Sequence, residues 1–279
     1  MLETMLSYLQ YPFMQRALIV GALVSLCAAL LGVSLVLKRY SMIGDGLSHV
    51  GFCALSIAAA ANLAPLAVAI PVVMAAAFVL LRLNERTRVE GDAAIAMFST
   101  TAVAVGAIVI SMTRGMGEVS DYLFGKILSL TDSDVVISIA LCVAVLAIFI
   151  FLYHRVFAIT FDEPFARATG TRVGALNTLI ALLTAVTIVI GMRMMGTMLI
   201  SSLIIFPPLT AMRVFKSFRG VVLCSGVLSV VCFLLGICVS YGCSTPAGAS
   251  VVLVDLAVFL LFGGVQRLMA RTAGNNKKQ

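Results

Sequence analysis

The stretch YPFMQRALIVGALVSLCAALLGVSLVLKRYSMIGDGLSHVGFCALSIA, residues 11–58, decides how the rest of the chain is read. Within it, residues 17–37 form an apolar run bounded by Arg16 on one side and Lys38 and Arg39 on the other. At a rise of about 1.5 Å per residue, such a run crosses a hydrocarbon core of about 30 Å as a helix. A second run begins near Ser41, but its first half carries Asp45 and His49. Ionisable groups inside a membrane are costly to desolvate and mark a pathway or a site. The segment thus joins a plain membrane span to a span that carries chemistry.

The remainder of the chain follows the same pattern. Of its 279 residues, 62% are hydrophobic and 11% charged, with a mean hydropathy of +1.14; soluble proteins hold about 25% charged residues. The class is an all-α, polytopic integral membrane protein. An outer-membrane barrel is excluded, because its strands would alternate over about ten residues. Apolar runs bounded by charge fall near 17–37, 41–62, 64–81, 93–113, 134–153, 174–192, 194–211, 220–241 and 249–266. The run at 191–212 can also be a broken or re-entrant helix, so eight or nine transmembrane helices are expected.

Lys and Arg concentrate on cytoplasmic loops, and this ordering of spans puts fifteen of the nineteen on one side and four on the other. Nine spans then place the N-terminus outside and the C-terminus inside. The net charge of +7 is scattered between spans in twos and threes, which suits orientation rather than nucleic acid. No basic region precedes Arg16, so no cleaved leader is expected. Residues 1–270 read as a single transmembrane domain, and 271–279 (RTAGNNKKQ) as a polar cytoplasmic tail without order.

Seven cysteines make an odd number without a CxxC pair, and all but Cys243 fall in apolar runs; they read as small apolar packing residues. Gly21, Ser25, Ala28 and Gly32 recur along one face of the first span, as do Gly226 and Ser229 in the eighth. Such stripes let helices approach closely.

Asp45 and His49, in GDGLSHV, are four residues apart and share a helix face, with Cβ atoms about 5–6 Å apart. Carboxylate and imidazole at that spacing form half a site for a divalent cation such as Zn²⁺, Mn²⁺ or Fe²⁺. The remaining ligands must come from elsewhere in the fold, a second copy or water. The plainer alternative is an Asp near a helix start meeting free N–H groups beside a His bonded to a neighbouring helix. Asp255, in the last span, is a second intramembrane acid: a ligand, a proton site or a partner for Arg193. His154 reads as interfacial, and the four acids of the outer loop, Glu118, Asp121, Asp132 and Asp134, as solvated charge.

FDEPFARATGTRVG, 161–174, opens with Asp162, Glu163 and Pro164, places Phe165, Ala168 and Thr169 on one face and then reaches Gly170. Acid and Pro at the start and Gly at the end delimit a helix of about two turns. It suits docking into a groove on a soluble partner or lying as a plain interfacial helix. The chain has no GxxxxGK[ST] loop to cradle nucleotide phosphates and no GxSxG or HExxH of the usual hydrolases.

Residues 11–58, with a basic pair followed by GDxLSH, resemble the opening of the permease subunits of bacterial zinc, manganese and iron uptake ABC transporters. LFGKILSLTDSDV (123–135), FDEPFARATGTRVG (161–174), GTMLISSLIIFPPLTAMR (196–213) and STPAGASVVLV (244–254) are similar to the family in the same order. Two features depart from it: Asp255 stands where an apolar residue is expected, and Pro207–Pro208 where a single proline is more usual.

The resemblance implies an ABC importer permease fold in the bacterial cytoplasmic (inner) membrane, with no catalysis of its own and no resident cofactor. It implies a divalent metal ion as cargo and ATP consumed by a partner. The partners would be ATP-binding cassette subunits, an extracytoplasmic metal-binding solute-binding protein, a second permease copy or paralogue, and lipid around the spans. It places metal coordination on Asp45 and His49, and makes 161–174 the coupling helix. Two competing readings are an ion-coupled secondary transporter using Asp45, His49 and Asp255 as a relay, and an intramembrane enzyme built on Asp45 and Asp255. The first lacks an internal repeat; the second lacks a catalytic motif.

Overall fold

The computed structural model describes residues 12–86, 91–113 and 132–275. Eleven helices run in order through them: α1 (Pro12–Leu37), α2 (Ser41–Ala60), α3 (Pro65–Arg86), α4 (Gly91–Thr113), α5 (Asp132–Phe151), α6 (Tyr153–Phe161), α7 (Glu163–Ala168), α8 (Val173–Met195), α9 (Thr197–Met212), α10 (Phe218–Cys243) and α11 (Ala247–Asn275). Eight of them, α1 to α5, α8, α10 and α11, are long and apolar enough to span a membrane, and α9 is a shorter apolar helix.

α1 lies at the centre, against α5, α8, α9 and α10, and its small-residue stripe explains why. A Cβ on Gly32 would collide with the Ile204 carbonyl of α9, and one on Gly21 with the Phe233 ring of α10. Ser229 donates to the Ser25 carbonyl at 2.7 Å and Ser225 to that of Ala29 at 3.5 Å, fastening α10 to α1. The Cys27 thiol donates across to the Cys142 carbonyl of α5 at 3.5 Å. In a bilayer, where lipid is as apolar as leucine, such close contacts and interhelical hydrogen bonds hold helices together.

The turns fix which helix ends lie together. After α1 the chain reverses at Arg39, in the left-handed region at φ 61°, while the neighbouring Lys38 Nζ donates to Asn177 Oδ1 of α8 at 2.6 Å and lies 3.4 Å from Glu163 Oε2 of α7. The rings of Tyr153, Phe157 and Phe161 on α6 pack around Phe218, the first residue of α10, at 5.4, 5.3 and 5.9 Å. The start of α10 therefore shares one end of the molecule with α6, α7 and the end of α1. At the opposite end, Arg193 near the close of α8 donates to Asp134 of α5 at 2.6 Å.

Between those ends runs α9. Its 16 residues rise about 24 Å, short of the roughly 30 Å core, and it follows Gly196, whose φ of 85° breaks the line from α8. With residues 213–217 it returns the chain to the Lys38 end. The doubtful run at 191–212 is thus a short helix that completes a ninth passage. Lys38, Arg155, Arg167, Arg172, Lys216 and Arg219 lie towards that end, so it is the basic end of the molecule.

Three expectations need correction. Asp134 is not solvated loop charge: it is 8% exposed and paired with Arg193, because burial of one charge beside α8 requires an opposite one. For the same reason Asp255 is not the partner of Arg193. α11 continues as helix to Asn275, into the stretch read as a tail. Glu118 and Asp121, with loop segment 123–131, lie outside the described residues, as do 276–279.

Candidate functional site

Asp45 stands between two glycines, and both are needed for the packing around it. A Cβ on Gly46 would strike Ile95 Cγ2 of α4, and one on Gly44 would come within 3.0 Å of Ile204 Cδ1 of α9. One turn later Gly51 takes the end of Met192 from α8. These three contacts seat α2 between α4, α8 and α9 and fix the direction of its polar edge.

On that edge His49 Nε2 lies 3.6 Å from Asp45 Oδ2, with the His49 side chain 23% exposed and that of Asp45 40%. The other ring nitrogen, Nδ1, is buried without a hydrogen-bond partner among the described residues. Ser48 Oγ donates to the Asp45 carbonyl at 2.7 Å and stands 3.4 Å from Ser201 Oγ of α9. From the start of α2 at Ser41, His49 is about 12 Å along the axis, well inside the apolar layer. Carboxylate and imidazole thus sit side by side, part-open, at membrane depth.

The pair is half of a coordination shell. Structural sites for zinc take four ligands and catalytic ones three plus a water, yet the described residues hold no cluster of three or more His, Cys, Asp or Glu. Asp255 does not join it. Its Oδ2 accepts from Ser202 Oγ at 3.3 Å, its Oδ1 is buried without a partner among the described residues, and the residue is 1% exposed. Ser201 and Ser202 are neighbours on α9 that face different ways, one towards α2 and one towards α11. The two intramembrane acids are therefore separated by α9.

The second candidate region is α7, at the basic end. Asp162 caps it by accepting from the Phe165 N–H at 2.9 Å, Pro164 occupies its first turn, and Gly170, at φ 84°, follows its end. Glu163 links α7 to the body through Lys38 at 3.4 Å and to its own next turn through Arg167 at 3.2 Å. Ala166 is buried beneath, whereas Phe165 is 64% exposed, with Pro164 and Ala168 exposed beside it. The helix holds an apolar side chain exposed above a buried alanine.

Sequence reasoning missed the supporting residues. Ser48 and Ser201 gave no signal, since serines are common in spans. Asn177 gave one: an amide within an apolar run needs partners, and Lys38 is its partner.

Comparisons with known proteins agree with this architecture. Residues 10–265 match the ABC 3 transport family. The chain is 28% identical to the manganese import system permease protein ScaB of Streptococcus gordonii, over 90% of each chain. It is 30% identical to the high-affinity zinc uptake system membrane protein ZnuB of Buchnera aphidicola, over 86% of this chain and 93% of that one. Among solved structures, PsaBC from Streptococcus pneumoniae in complex with Fab superposes with a TM-score of 0.85 at 27% identity, covering 94% of this chain and 95% of that one. With the family matched over nearly the whole length and the helices superposing on a solved relative, the chain belongs to the ABC 3 transport family of membrane permeases.

Proposed function

We propose that this protein is the permease subunit of an ATP-driven importer of divalent transition metal ions in a bacterial inner membrane, with residues 1–270 as one permease domain. The observation that carries the reading is the part-open Asp45–His49 pair at membrane depth, in a chain whose relatives include manganese and zinc permeases. Asp45 supplies a hard oxygen and His49 a borderline nitrogen, a donor set that accepts Zn²⁺, Mn²⁺ or Fe²⁺ after partial dehydration. Water and a second permease complete the shell. The ion is cargo, so an incomplete shell is an advantage: it permits entry and release.

Energy enters at the other end. ATPase subunits seat Phe165 and Ala168 in a groove, and Asp162, Glu163, Pro164 and Gly170 hold the helix in shape for that contact. Closure of the ATPases on ATP moves α7, and Glu163, Lys38 and Asn177 pass the motion to α1 and α8. A solute-binding protein delivers metal on the outer face. A secondary transporter would give the exposed Phe165 no role. Reconstitution with partner ATPase subunits tests the proposal. Metal uptake should require hydrolysable ATP, and uptake driven by a proton gradient without ATP would overturn it.

A further inference from the structure

On the flank formed by α1, α5 and α10 lies a groove of about 780 Å³ that the transport reading does not use. Its floor exists because of sequence: Gly226 contributes no side chain, and Val222 and Val230, one turn either side, contribute short ones. Leu26 and Leu30 of α1 form one wall and Phe149 of α5 the other. Leu223, Val227 and Val231 form an open rim, 71%, 64% and 43% exposed.

The groove is apolar along its length and polar at one end. Arg219 and His154, both exposed, line it at the basic end of the molecule. Arg219 makes no ion pair among the described residues. Tyr153 lies there too, with a buried hydroxyl that has no hydrogen-bond partner among those residues, although buried tyrosine hydroxyls usually find one.

We propose that this groove is a binding site for one anionic phospholipid of the cytoplasmic leaflet, with an acyl chain along α10 and the phosphate at Arg219 and His154. Length favours that occupant. From Arg219 to Val231 α10 advances about 18 Å, close to the half-thickness of about 15 Å that one leaflet contributes to the hydrocarbon core. A helix from another protein would use the full span of the flank. Charge favours it as well: an unpaired guanidinium beside an imidazole attracts phosphate, and anionic lipid is drawn to basic residues at this face. A headgroup oxygen following Arg219 inward also supplies an acceptor for Tyr153.

The test uses the full chain in vesicles containing phosphatidylglycerol and phosphatidylcholine, each spin-labelled in turn, and reads the motionally restricted fraction. Phosphatidylglycerol should be preferred by about fivefold, the effect of one basic residue near the surface. Arg219→Gln should lower the ratio, and Val227→Phe, which narrows the groove at an exposed position, should lower the restricted fraction of both lipids. Equal retention of the two lipids by the unaltered protein, or an Arg219→Gln ratio equal to that of the unaltered protein, would overturn the proposal. A photo-crosslinking residue at Leu223 separates occupants: phospholipid adducts support the site, and adducts to a second copy of this chain or to another protein contradict it.

Discussion

The polar edge of α2 and the apolar face of α7 break opposite rules. Asp45 and His49 put ionisable groups where the solvent is hydrocarbon, and Phe165 puts an aromatic ring where the solvent is water. Both are held firmly: α2 by glycine contacts with α4, α8 and α9, and α7 by its Asp162 cap and its Glu163 link to Lys38. Each is a surface left unfinished by its own chain on a rigid support. The difference lies in what would finish it. Under the proposed function, a cation finishes the carboxylate and imidazole, and a groove on an ATPase finishes the exposed ring beside Pro164 and Ala168.

Asp255 sharpens the contrast, because it is an intramembrane acid with no open side. Its Oδ2 accepts from Ser202, and the residue is buried between α9 and α11.

If the two surfaces do separate work, variants should separate too. The largest effect is expected from His49→Ala or Asp45→Ala, which should reduce metal uptake to background while the protein still assembles with its ATPase, since neither removes a large apolar contact. Ala168→Glu should come next: it buries an unpaired carboxylate in the contact and should prevent co-purification of ATPase subunits while metal binding at α2 persists. Phe165→Ala should weaken both co-purification and uptake without abolishing either. Lys38→Met should cost about 1.5–3 kcal/mol in thermal unfolding, the range for hydrogen bonds to a charged group. Smallest of all, Arg167→Ala should cost no more than about 0.5 kcal/mol of stability, as expected of an exposed i,i+4 pair.

Much of this architecture could be read from the residues. The runs bounded by Lys and Arg gave the spans within a few residues, because hydrocarbon imposes length and polarity on every crossing. The Asp162–Pro164–Gly170 punctuation outlined α7 because caps and breakers act locally. What depended on tertiary contact was not legible. Asp134 looked like loop charge until Arg193 of α8 was brought beside it. The separation of Asp255 from Asp45 needed the orientation of α9, and two adjacent serines do not reveal it. The short α9 stayed ambiguous for the same reason: Gly196 marks a break, but only the packing of Phe218 on α6 shows which way the chain continues.

The most direct measurement records ATP hydrolysis and metal uptake together, in the same proteoliposomes, for the unaltered transporter and for His49→Ala. Hydrolysis should persist in the variant while metal accumulation falls to background, because the α7 contact is intact and the path has lost a ligand. Metal accumulation by His49→Ala at the unaltered rate would contradict the assignment of transport to the polar edge of α2.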